Sequence, residues 1–373
     1  MFKLKFARAD NKCFMVLDDI IYWLQKNGGA SRYWYELSSR LSQSGFEVYH
    51  LRRPESSHNP WATELRPNCV SSFDKINVML SRYFDCTFPS ELKSQKRNLV
   101  FHSSHYRLPF DKSVANVVTV HDFTYEMHRS GFALAVHVWQ KKRAIRHADV
   151  VICISEFTKA QLLTLYPEFV KKQIEVIHHG VGTEFFCKDD LPKAPSKEIV
   201  FLGARDPYKR FDLAIDATRQ LPDKVLVVVG PALSPREKAD LDVQIPGRWQ
   251  YCGRLSDDAL CELYNRAFCF IYPSDSEGFG LPLLEAMRAG CPVVCANLTV
   301  FPEVAGNAAL FADEQTGAAY AQQMMRLSDP ELRLAMISRG LKQVSQFSWE
   351  NCFRKTLNAY QLAFQIRHKE AIA

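Results

Sequence analysis

The sequence has no hydrophobic run long enough to cross a membrane. A spanning helix needs about 18 or more apolar residues, whereas the longest apolar runs here, such as Val225–Val229 and Phe268–Tyr272, are the length of a strand. The first ten residues carry charges throughout, and the first apolar run, Cys13–Leu17, stops at an aspartate pair. This pattern is not that of a secretory signal peptide. We therefore expect a chain that stays in the cytoplasm.

Cysteine motifs are also missing. The chain has 11 Cys but no CxxC pair, and Cys291 and Cys295 stand in a CxxxC spacing without two further ligands in register. A zinc site of the usual kind is therefore not predicted. Cys153 and Cys269, like this pair, lie in apolar, strand-like segments, which predicts buried free thiols in a reducing compartment.

What the sequence does contain is ample apolar material and an uneven charge. Of its 373 residues, 47% are hydrophobic and 12% aromatic, which excludes disorder and predicts two domains of roughly 150–200 residues each. Residues 1–180 hold 25 Lys and Arg against 17 Asp and Glu, whereas residues 181–373 hold 22 against 24. The basic half could face anionic lipid, an acidic acceptor or nucleic acid, although no nucleic-acid motif is present. Its densest cluster, Lys141–Arg143 with Arg146, is more typical of a solvated helix face.

Strands and helices are predicted to alternate along the chain. Apolar runs rich in Val and Ile predict strands buried on both faces, at Cys13–Leu17, Phe46–Leu51, Leu99–His102, Val117–His121, Val150–Ile154, Glu175–His178, Ile199–Leu202, Val225–Val229, Phe268–Tyr272 and Val293–Cys295. Apolar periodicity and capping residues predict helices between them, at Ala30–Ser44, Lys209–Gln220, Asp257–Ala267, Leu281–Ala289 and Trp349–His368.

This alternation predicts an α/β protein of two Rossmann-like doubly wound domains facing across a cleft. The first domain is predicted at residues 1–186 and the second at 198–348. A proline-rich, charged stretch at 187–197 is typical of a linker, and 349–373 is predicted to form a helix that packs back on the first domain. Ligands are expected in the cleft, at the carboxyl ends of the strands.

The segment after the strand 268–272 carries the clearest chemical signal. Gly278-Phe279-Gly280-Leu281 leads into a helix, and helix N-termini with glycine amides attract phosphate. Glu277 and Glu285 bracket this loop with seven residues between them. Paired carboxylates suit a vicinal diol of a ribose or hexose. The spacing fits equally well a loop cap at Glu277 and a helix-dipole partner in the first turn at Glu285.

With these residues the sequence resembles the retaining, nucleotide-sugar-dependent glycosyltransferases of family 4, which have the two-domain GT-B fold. The resemblance extends, in order, over further segments from about residue 14 to 350: Gly28–Arg32, Val120–Asp122, Ile154–Lys159, Val176–Val181, Phe201–Lys209 and Phe301–Gly306. Leu17–Arg32 and Phe101–Arg107 resemble the subgroup that builds bacterial surface polysaccharides. One departure concerns the arginine that many members carry directly after a glycine. Here Ala204 follows Gly203, and the arginine stands one place later, at Arg205.

The resemblance implies roles for individual residues. It implies that Glu277 and His121 contact the donor sugar at the reacting centre, and that Glu285 binds the nucleotide ribose. The residues implied to hold the diphosphate are Gly28, Gly29, Arg205, Lys209, Gly278, Phe279, Gly280 and Leu281. Such cations and amides could replace a metal ion, so neither a metal nor another cofactor is expected. Asp122 and Ser155 are predicted to be a turn residue and a helix N-cap.

The implied activity is transfer of a hexose, mannose among the candidates, with retention of configuration. The donor would be GDP-mannose or a UDP-hexose, the acceptor a glycan or lipid-linked glycan at the inner face of the membrane, and the pathway that of cell-surface polysaccharide or lipopolysaccharide. Three alternatives stay open: a sugar-nucleotide epimerase or hydrolase on the same fold, a nicotinamide-dependent dehydrogenase, and a non-catalytic sugar-nucleotide-binding protein. The dehydrogenase ranks low because no GxGxxG opens a helix.

Overall fold

The computed structural model describes residues 13–25, 28–52, 59–64, 68–71, 78–88, 92, 98–188 and 196–370. The chain forms two compact units, one of Met1–His178 with Trp349–Ala373 and one of His179–Ser348. The division thus falls at His178 rather than at residue 186. Most of the predicted linker, residues 189–195, lies outside the described residues.

The first unit contains a parallel sheet that has seven strands in the described part of the chain. The strands are β1 Phe14–Asp18, β2 Glu47–Arg52, β3 Asn68–Ser71, β4 Leu99–Ser103, β5 Ala115–Val120, β6 Val150–Cys153 and β7 Ile174–Val176, in the order β3-β2-β1-β4-β5-β6-β7. Its helices are Ile21–Leu24, Gly29–Gln43, Pro60–Glu64, Val78–Ser81, Thr124–His128, Phe132–His147, Glu156–Leu165 and the C-terminal Trp349–Glu370. The strand order reverses direction between β1 and β4, which marks the place where such sheets bind ligands.

The central strands of this sheet are apolar because helices cover both of its faces. Every residue of β4 and β5 is buried. The predicted strands agree with six of those observed to within two residues at each end, and β3 is the one that the apolar pattern did not indicate. The predicted helix N-cap and the predicted turn residue are also observed: the Ser155 hydroxyl accepts the Thr158 N–H, and Asp122 accepts the Thr124 N–H.

The C-terminal helix packs on the sheet of the first unit. The side chains of Trp349, Phe353 and Leu357 are buried, and Tyr360 is fully covered. The Tyr360 hydroxyl lies 2.8 Å from His102 Nδ1, and the Arg367 guanidinium lies 2.8 Å from an Asp149 carboxylate oxygen. These contacts join the last helix to β4 and to the start of β6.

The basic cluster on helix Phe132–His147 differs from a uniformly solvated face. Lys141 is 1% exposed and its ammonium lies 2.6 Å from the Glu126 carboxylate. Lys142 pairs with Glu168, and Arg143 donates two hydrogen bonds to Asp85. Three of the four cations are therefore neutralised by partners that are distant in sequence.

In the second unit, the described residues form a parallel sheet of six strands. Its strands are β8 Glu198–Leu202, β9 Val225–Val229, β10 Trp249–Gly253, β11 Cys269–Tyr272, β12 Val293–Ala296 and β13 Ala309–Ala312, in the order β10-β9-β8-β11-β12-β13. Its α-helices are Phe211–Arg219, Pro235–Gln244, Asp257–Arg266, Leu281–Arg288, Phe301–Ala305, Gly317–Arg326 and Pro330–Val344. Here the order reverses between β8 and β11, which are hydrogen-bonded neighbours.

Candidate functional site

The reversal point of the second sheet brings together two of the predicted site residues. The loop after β8 forms a short 3-10 turn, Pro207–Lys209, and the loop after β11 carries Glu277. The Lys209 ammonium forms an ion pair with Glu277 Oε1, and their side chains are 15% and 14% exposed. Two oppositely charged groups that lie 68 residues apart in sequence therefore meet at the carboxyl edge of the sheet.

Two tyrosines surround this ion pair. The Lys209 Nζ lies 5.3 Å from the ring centre of Tyr208 and 5.6 Å from that of Tyr272, within the range of cation–π attraction. Burial raises the pKa of Tyr272 well above its usual value, and the Glu277 carboxylate, to which its hydroxyl hydrogen-bonds, adds to the rise. Tyr272 therefore stays protonated and donates to Glu277. No sequence motif indicated either tyrosine.

Hydrogen bonds hold the two loops against each other. The Asp275 N–H donates to the Tyr208 carbonyl oxygen at 2.7 Å, and the Ser274 hydroxyl lies 3.2 Å from the same oxygen. The Ser274 hydroxyl also lies 3.2 Å from the Ser276 carbonyl oxygen. Each of these bonds has a backbone carbonyl oxygen as acceptor, so the backbones of the loops that carry Lys209 and Glu277 are fixed relative to each other.

The glycine loop leads into helix Leu281–Arg288, as predicted. Gly280 precedes the helix with φ +84°, and a Cβ built there would stand 3.3 Å from the Phe301 ring, so glycine suits this position on both counts. Phe279 is buried, with its ring 5.1 Å from that of His179 and 5.9 Å from that of Phe347. The Phe279 side chain thus anchors the loop. The groups with which this loop can bind an anion are therefore its backbone amides.

Glu285 is the fifth residue of this helix, at the start of the second turn, rather than in the first turn as expected. Its side chain is half-buried. Burial raises the pKa of Tyr264, and the charge of Glu285 raises it further, which places the carboxylate near that phenol.

Arg205 has a different set of partners from Lys209. Its side chain is 5% exposed and its Nε donates to Glu237 Oε1 at 2.8 Å. One terminal nitrogen donates to the carbonyl oxygens of Pro231 and Ala232 at 2.8 and 2.7 Å. Glu237 in turn forms a capping box with Ser234 at the start of the next helix. The guanidinium therefore ties two loops together, and its contact with a diphosphate stays a prediction.

In the first unit, the structure brings His121 close to the helix that begins after Gly28. His121 directly follows β5, and its ring stands edge-on to that of Tyr33 with 5.4 Å between centres. Gly28 precedes the helix and Gly29 is its first residue. A Cβ at Gly28 would overlap the Gln25 side chain, whose Oε1 accepts the Ser31 N–H. Burial lowers the pKa of His121 to about 4, so its ring is neutral at pH 7.

Buried ion pairs at the same edge were not predicted. At the end of β1, Asp18 accepts hydrogen bonds from Ser103 and Arg107, at 2.8 and 3.2 Å. Asp19 accepts from Arg52 at 2.7 Å and lies 3.0 Å from His50 Nδ1. Burial acts to raise the pKa of Asp19, but His50 and Arg52 outweigh it and hold that pKa below its usual value. The adjacent aspartates after an apolar run were the only sequence signal for this network.

No group of three His, Cys, Asp or Glu in the described part of the chain could hold a metal ion. Within the same residues, every helix is either too short or too polar to span a bilayer.

Two family models match the chain in succession. Residues 27–185 match the model described as Glycosyltransferase Family 4, and residues 184–343 match the one described as Glycosyl transferases group 1. Together they span residues 27–343 and so include most of each unit.

Among curated proteins, the chain is similar to an O-antigen chain mannosyltransferase B of Escherichia coli. The two are 31% identical over 71% of this chain and 75% of the relative. It is also 26% identical to the O-antigen chain mannosyltransferase RfbU of Salmonella typhimurium, over 67% of this chain and 69% of that protein.

Among solved structures, sucrose-phosphate synthase of Thermosynechococcus elongatus aligns with a TM-score of 0.73 and 18% identity, over 97% of this chain and 100% of that one. Anabaena HepE, solved with UDP and glucose, aligns with a TM-score of 0.69 and 15% identity, over 92% of this chain and 98% of that one. These similarities confirm the predicted GT-B fold, and with the relatives and family models they show that the chain belongs to the family 4 glycosyltransferases.

Proposed function

We propose that this glycosyltransferase moves a mannose from a nucleotide-sugar donor to a glycan or lipid-linked acceptor, with retention of configuration, in the biosynthesis of O-antigen-type polysaccharide. In the reaction, the bond between the sugar's anomeric carbon and the donor phosphate oxygen breaks, a bond to an acceptor oxygen forms, and the proton of the acceptor hydroxyl is released together with the nucleoside diphosphate. The leaving diphosphate gains negative charge, which the site must stabilise.

The observation that carries this proposal is the Lys209–Glu277 ion pair beside the start of helix Leu281–Arg288. The ammonium and the first-turn amides supply positive charge for a diphosphate. A diphosphate competes with Glu277 for the Lys209 ammonium, and the released carboxylate then accepts hydrogen bonds from sugar hydroxyls. Binding of the donor thereby orients the acid that holds its sugar.

The other residues have proposed supporting roles. Glu285, on the same helix as the amides, binds the nucleotide ribose through its two oxygens. Arg205 keeps the loop after β8 in place through Glu237 and two carbonyl oxygens, and is also the second cation proposed for the diphosphate.

The first unit is proposed to contribute His121 to the sugar, with Gly28 and Gly29 approaching the diphosphate. A neutral imidazole can donate from one ring nitrogen and accept at the other, which suits hydroxyl groups. The lowered pKa of His121 keeps the ring in this form at pH 7.

The identity of the donor sugar rests on relatives. Both O-antigen relatives are named as mannosyltransferases, which favours GDP-mannose. A structure of the same fold was solved with UDP and glucose, which makes a UDP-hexose the second candidate. The basic first half of the sequence supports a reaction at the cytoplasmic face of an anionic membrane, where a lipid-linked acceptor is accessible.

A panel of GDP-, UDP- and dTDP-sugars tests the donor, because a ligand that binds the folded state raises the melting temperature. The best stabiliser is then supplied, radiolabelled, with a lipid-linked glycan acceptor. Transfer of label to the acceptor with an unchanged anomeric configuration supports the proposal. Release of free sugar would identify a hydrolase, and conversion of the donor to another sugar nucleotide would identify an epimerase. Binding of the donor without turnover would identify a non-catalytic protein.

Metal independence is tested in the same assay. We expect the rate to survive excess EDTA, since Lys209 and the helix amides supply the charge that a metal would otherwise provide. Complete loss of activity that Mg²⁺ restores would contradict this part of the proposal.

A further inference from the structure

A cavity of about 110 Å³ lies in the first unit, at the opposite edge of the sheet from His121. Asn116, near the start of β5, lines it, whereas His121 follows the end of the same strand. At about 3.3 Å per residue, the two positions are roughly 16 Å apart. The cavity is therefore separate from the residues assigned to sugar transfer, and a ligand in it would be independent of the proposed function.

The charges around the cavity favour an anion. Lys112, Arg143 and Arg367 line it together with His147, against a single lining carboxylate, that of Asp85. Burial lowers the pKa of His147, and the cations Arg143, Lys112, Lys172 and Arg146 lower it further. Arg143 pairs with Asp85 and Arg367 pairs with Asp149, so the positive charge that these pairs leave over at the cavity is that of Lys112.

A buried side-chain amide in the cavity wall, that of Asn116, indicates that the ligand must also donate a hydrogen bond. Asn116 is 2% exposed, its backbone N–H donates to Asp149, and its side-chain nitrogen donates to the His147 carbonyl oxygen at 3.3 Å. Its Oδ1 has no hydrogen-bond partner among the described residues. A buried acceptor without a partner costs about 1–3 kcal/mol, so a ligand that donates a hydrogen bond there would be stabilised.

We propose that this cavity binds a phosphate ester that also carries a hydroxyl group. The phosphate oxygens accept hydrogen bonds from Lys112 and Arg143, and the hydroxyl donates to Asn116 Oδ1. Pockets for drug-sized ligands have roughly 300–1,000 Å³, so this one is too small for a nucleotide sugar and takes only a head group. Two sources carry such a group: a soluble phosphorylated polyol, and the glycerophosphate head group of an anionic lipid. The lining residue Phe110 is 72% exposed, which suits contact with a lipid surface.

Titration of the full-length protein with sn-glycerol 3-phosphate, monitored by calorimetry, tests the soluble source. Lys112→Glu is the test variant, since Lys112 is exposed and its replacement leaves the core intact. Lys238→Glu, an exposed lysine of the second unit, is the control with the same change of charge. Lys112→Glu should raise the dissociation constant at least about tenfold, whereas Lys238→Glu should leave it unchanged. Methyl phosphate at pH 8, which lacks a hydroxyl, should bind more weakly than glycerol 3-phosphate.

Sedimentation with vesicles tests the lipid source. Vesicles of phosphatidylcholine with phosphatidylglycerol should retain wild-type protein and the Lys238→Glu variant but release Lys112→Glu, and pure phosphatidylcholine should retain none. If Lys112→Glu weakens only the binding to vesicles, the site binds a lipid head group. If it weakens only the binding of glycerol 3-phosphate, the site binds a soluble ester. Equal behaviour of Lys112→Glu and Lys238→Glu in both assays would overturn the proposal, as would binding of no probe by wild-type protein.

Discussion

At the carboxyl edge of the first sheet, the charged groups of Asp18 and Asp19 are buried in pairs, whereas at the same edge of the second sheet the Lys209–Glu277 ion pair stays partly exposed. Asp18 and Asp19 are at most 1% exposed, while Lys209 and Glu277 are about 15% exposed. Charged groups that are buried and already paired stabilise the fold at the carboxyl edge of the sheet. Groups that remain accessible can exchange partners with a ligand, so we assign the charged part of the donor to the second unit.

The largest expected effect is a loss of activity when the partly exposed pair of the second unit is changed. Lys209→Ala and Glu277→Gln should each lower the turnover rate by a factor on the order of 10² or more, because each removes a group proposed to hold the donor. Steady-state rates with the identified donor measure this. Lys238→Ala, an exposed lysine of the same unit, is the matched control and should keep wild-type turnover. Wild-type rates in both site variants would show that the assignment is wrong.

The second prediction concerns His102 and His105, two histidines of the first unit that burial keeps neutral at pH 7. Burial lowers the pKa values of His102 and His105 from 6.5 to about 3. The unfolded chain therefore binds more protons than the folded one between about pH 3 and 6.5. Stability is full above pH 6.5 and is lost as pH falls, by up to about 1.4 kcal/mol per pH unit for each group.

Urea unfolding at pH 7 and pH 5 measures this loss. Tryptophan fluorescence reports mainly on the first unit, which contains five of the six Trp. His102→Gln should be less stable at pH 7 but show a shallower dependence on pH. An unchanged slope in that variant would mean that His102 does not titrate as described.

The third prediction compares a buried arginine of the second unit, Arg205, with an exposed one, Arg219. Arg205→Ala should lower the free energy of unfolding by about 3 kcal/mol, because Glu237 and two carbonyl oxygens lose their donor. Arg219, which is 55% exposed and pairs with Asp216, provides the control, and Arg219→Ala should cost less than about 0.5 kcal/mol. Chemical denaturation gives both values. If Arg205→Ala unfolds like wild type and loses only donor affinity, its main role is to bind the diphosphate.

The smallest effect concerns two glycines with similar backbones, one in each unit. Gly45 has φ +75° with open space around its Cβ position, whereas Gly280 has φ +84° and faces the Phe301 ring. In chemical denaturation, Gly45→Ala should cost about 1 kcal/mol for backbone strain alone, and Gly280→Ala about 2 kcal/mol. Equal costs would mean that the Phe301 ring moves aside freely.

The parts of the fold that the sequence predicted are those that depend on local signals. The apolar run Val225–Val229 forms β9 with the same bounds, and the helices predicted at Ala30–Ser44 and Leu281–Ala289 are each followed by a glycine with positive φ, Gly45 and Gly290. The hydroxyl of Ser256 caps the start of the helix predicted at Asp257–Ala267. Each of these features is decided by residues close in sequence.

What the sequence left out depends on distant partners or on weak patterns. β10 is mostly exposed and therefore lacks a buried apolar run. The Asp18–Arg107 pair and the role of Arg205 arise from residues that only the folded chain brings together. Sequence motifs located Lys209 and Glu277 on two separate loops. Their ion pair could not be predicted, because it forms only when β8 and β11 become neighbours in the folded sheet.

The proposed mechanism depends above all on the donor's diphosphate binding to Lys209 and to the amides at the start of helix Leu281–Arg288. A crystal structure with the donor nucleotide bound tests this most directly. We expect phosphate oxygens at the Lys209 ammonium and at the amides of 278–281, with the ribose hydroxyls on Glu285. A nucleotide whose phosphates lie away from Lys209 and that helix would contradict the mechanism.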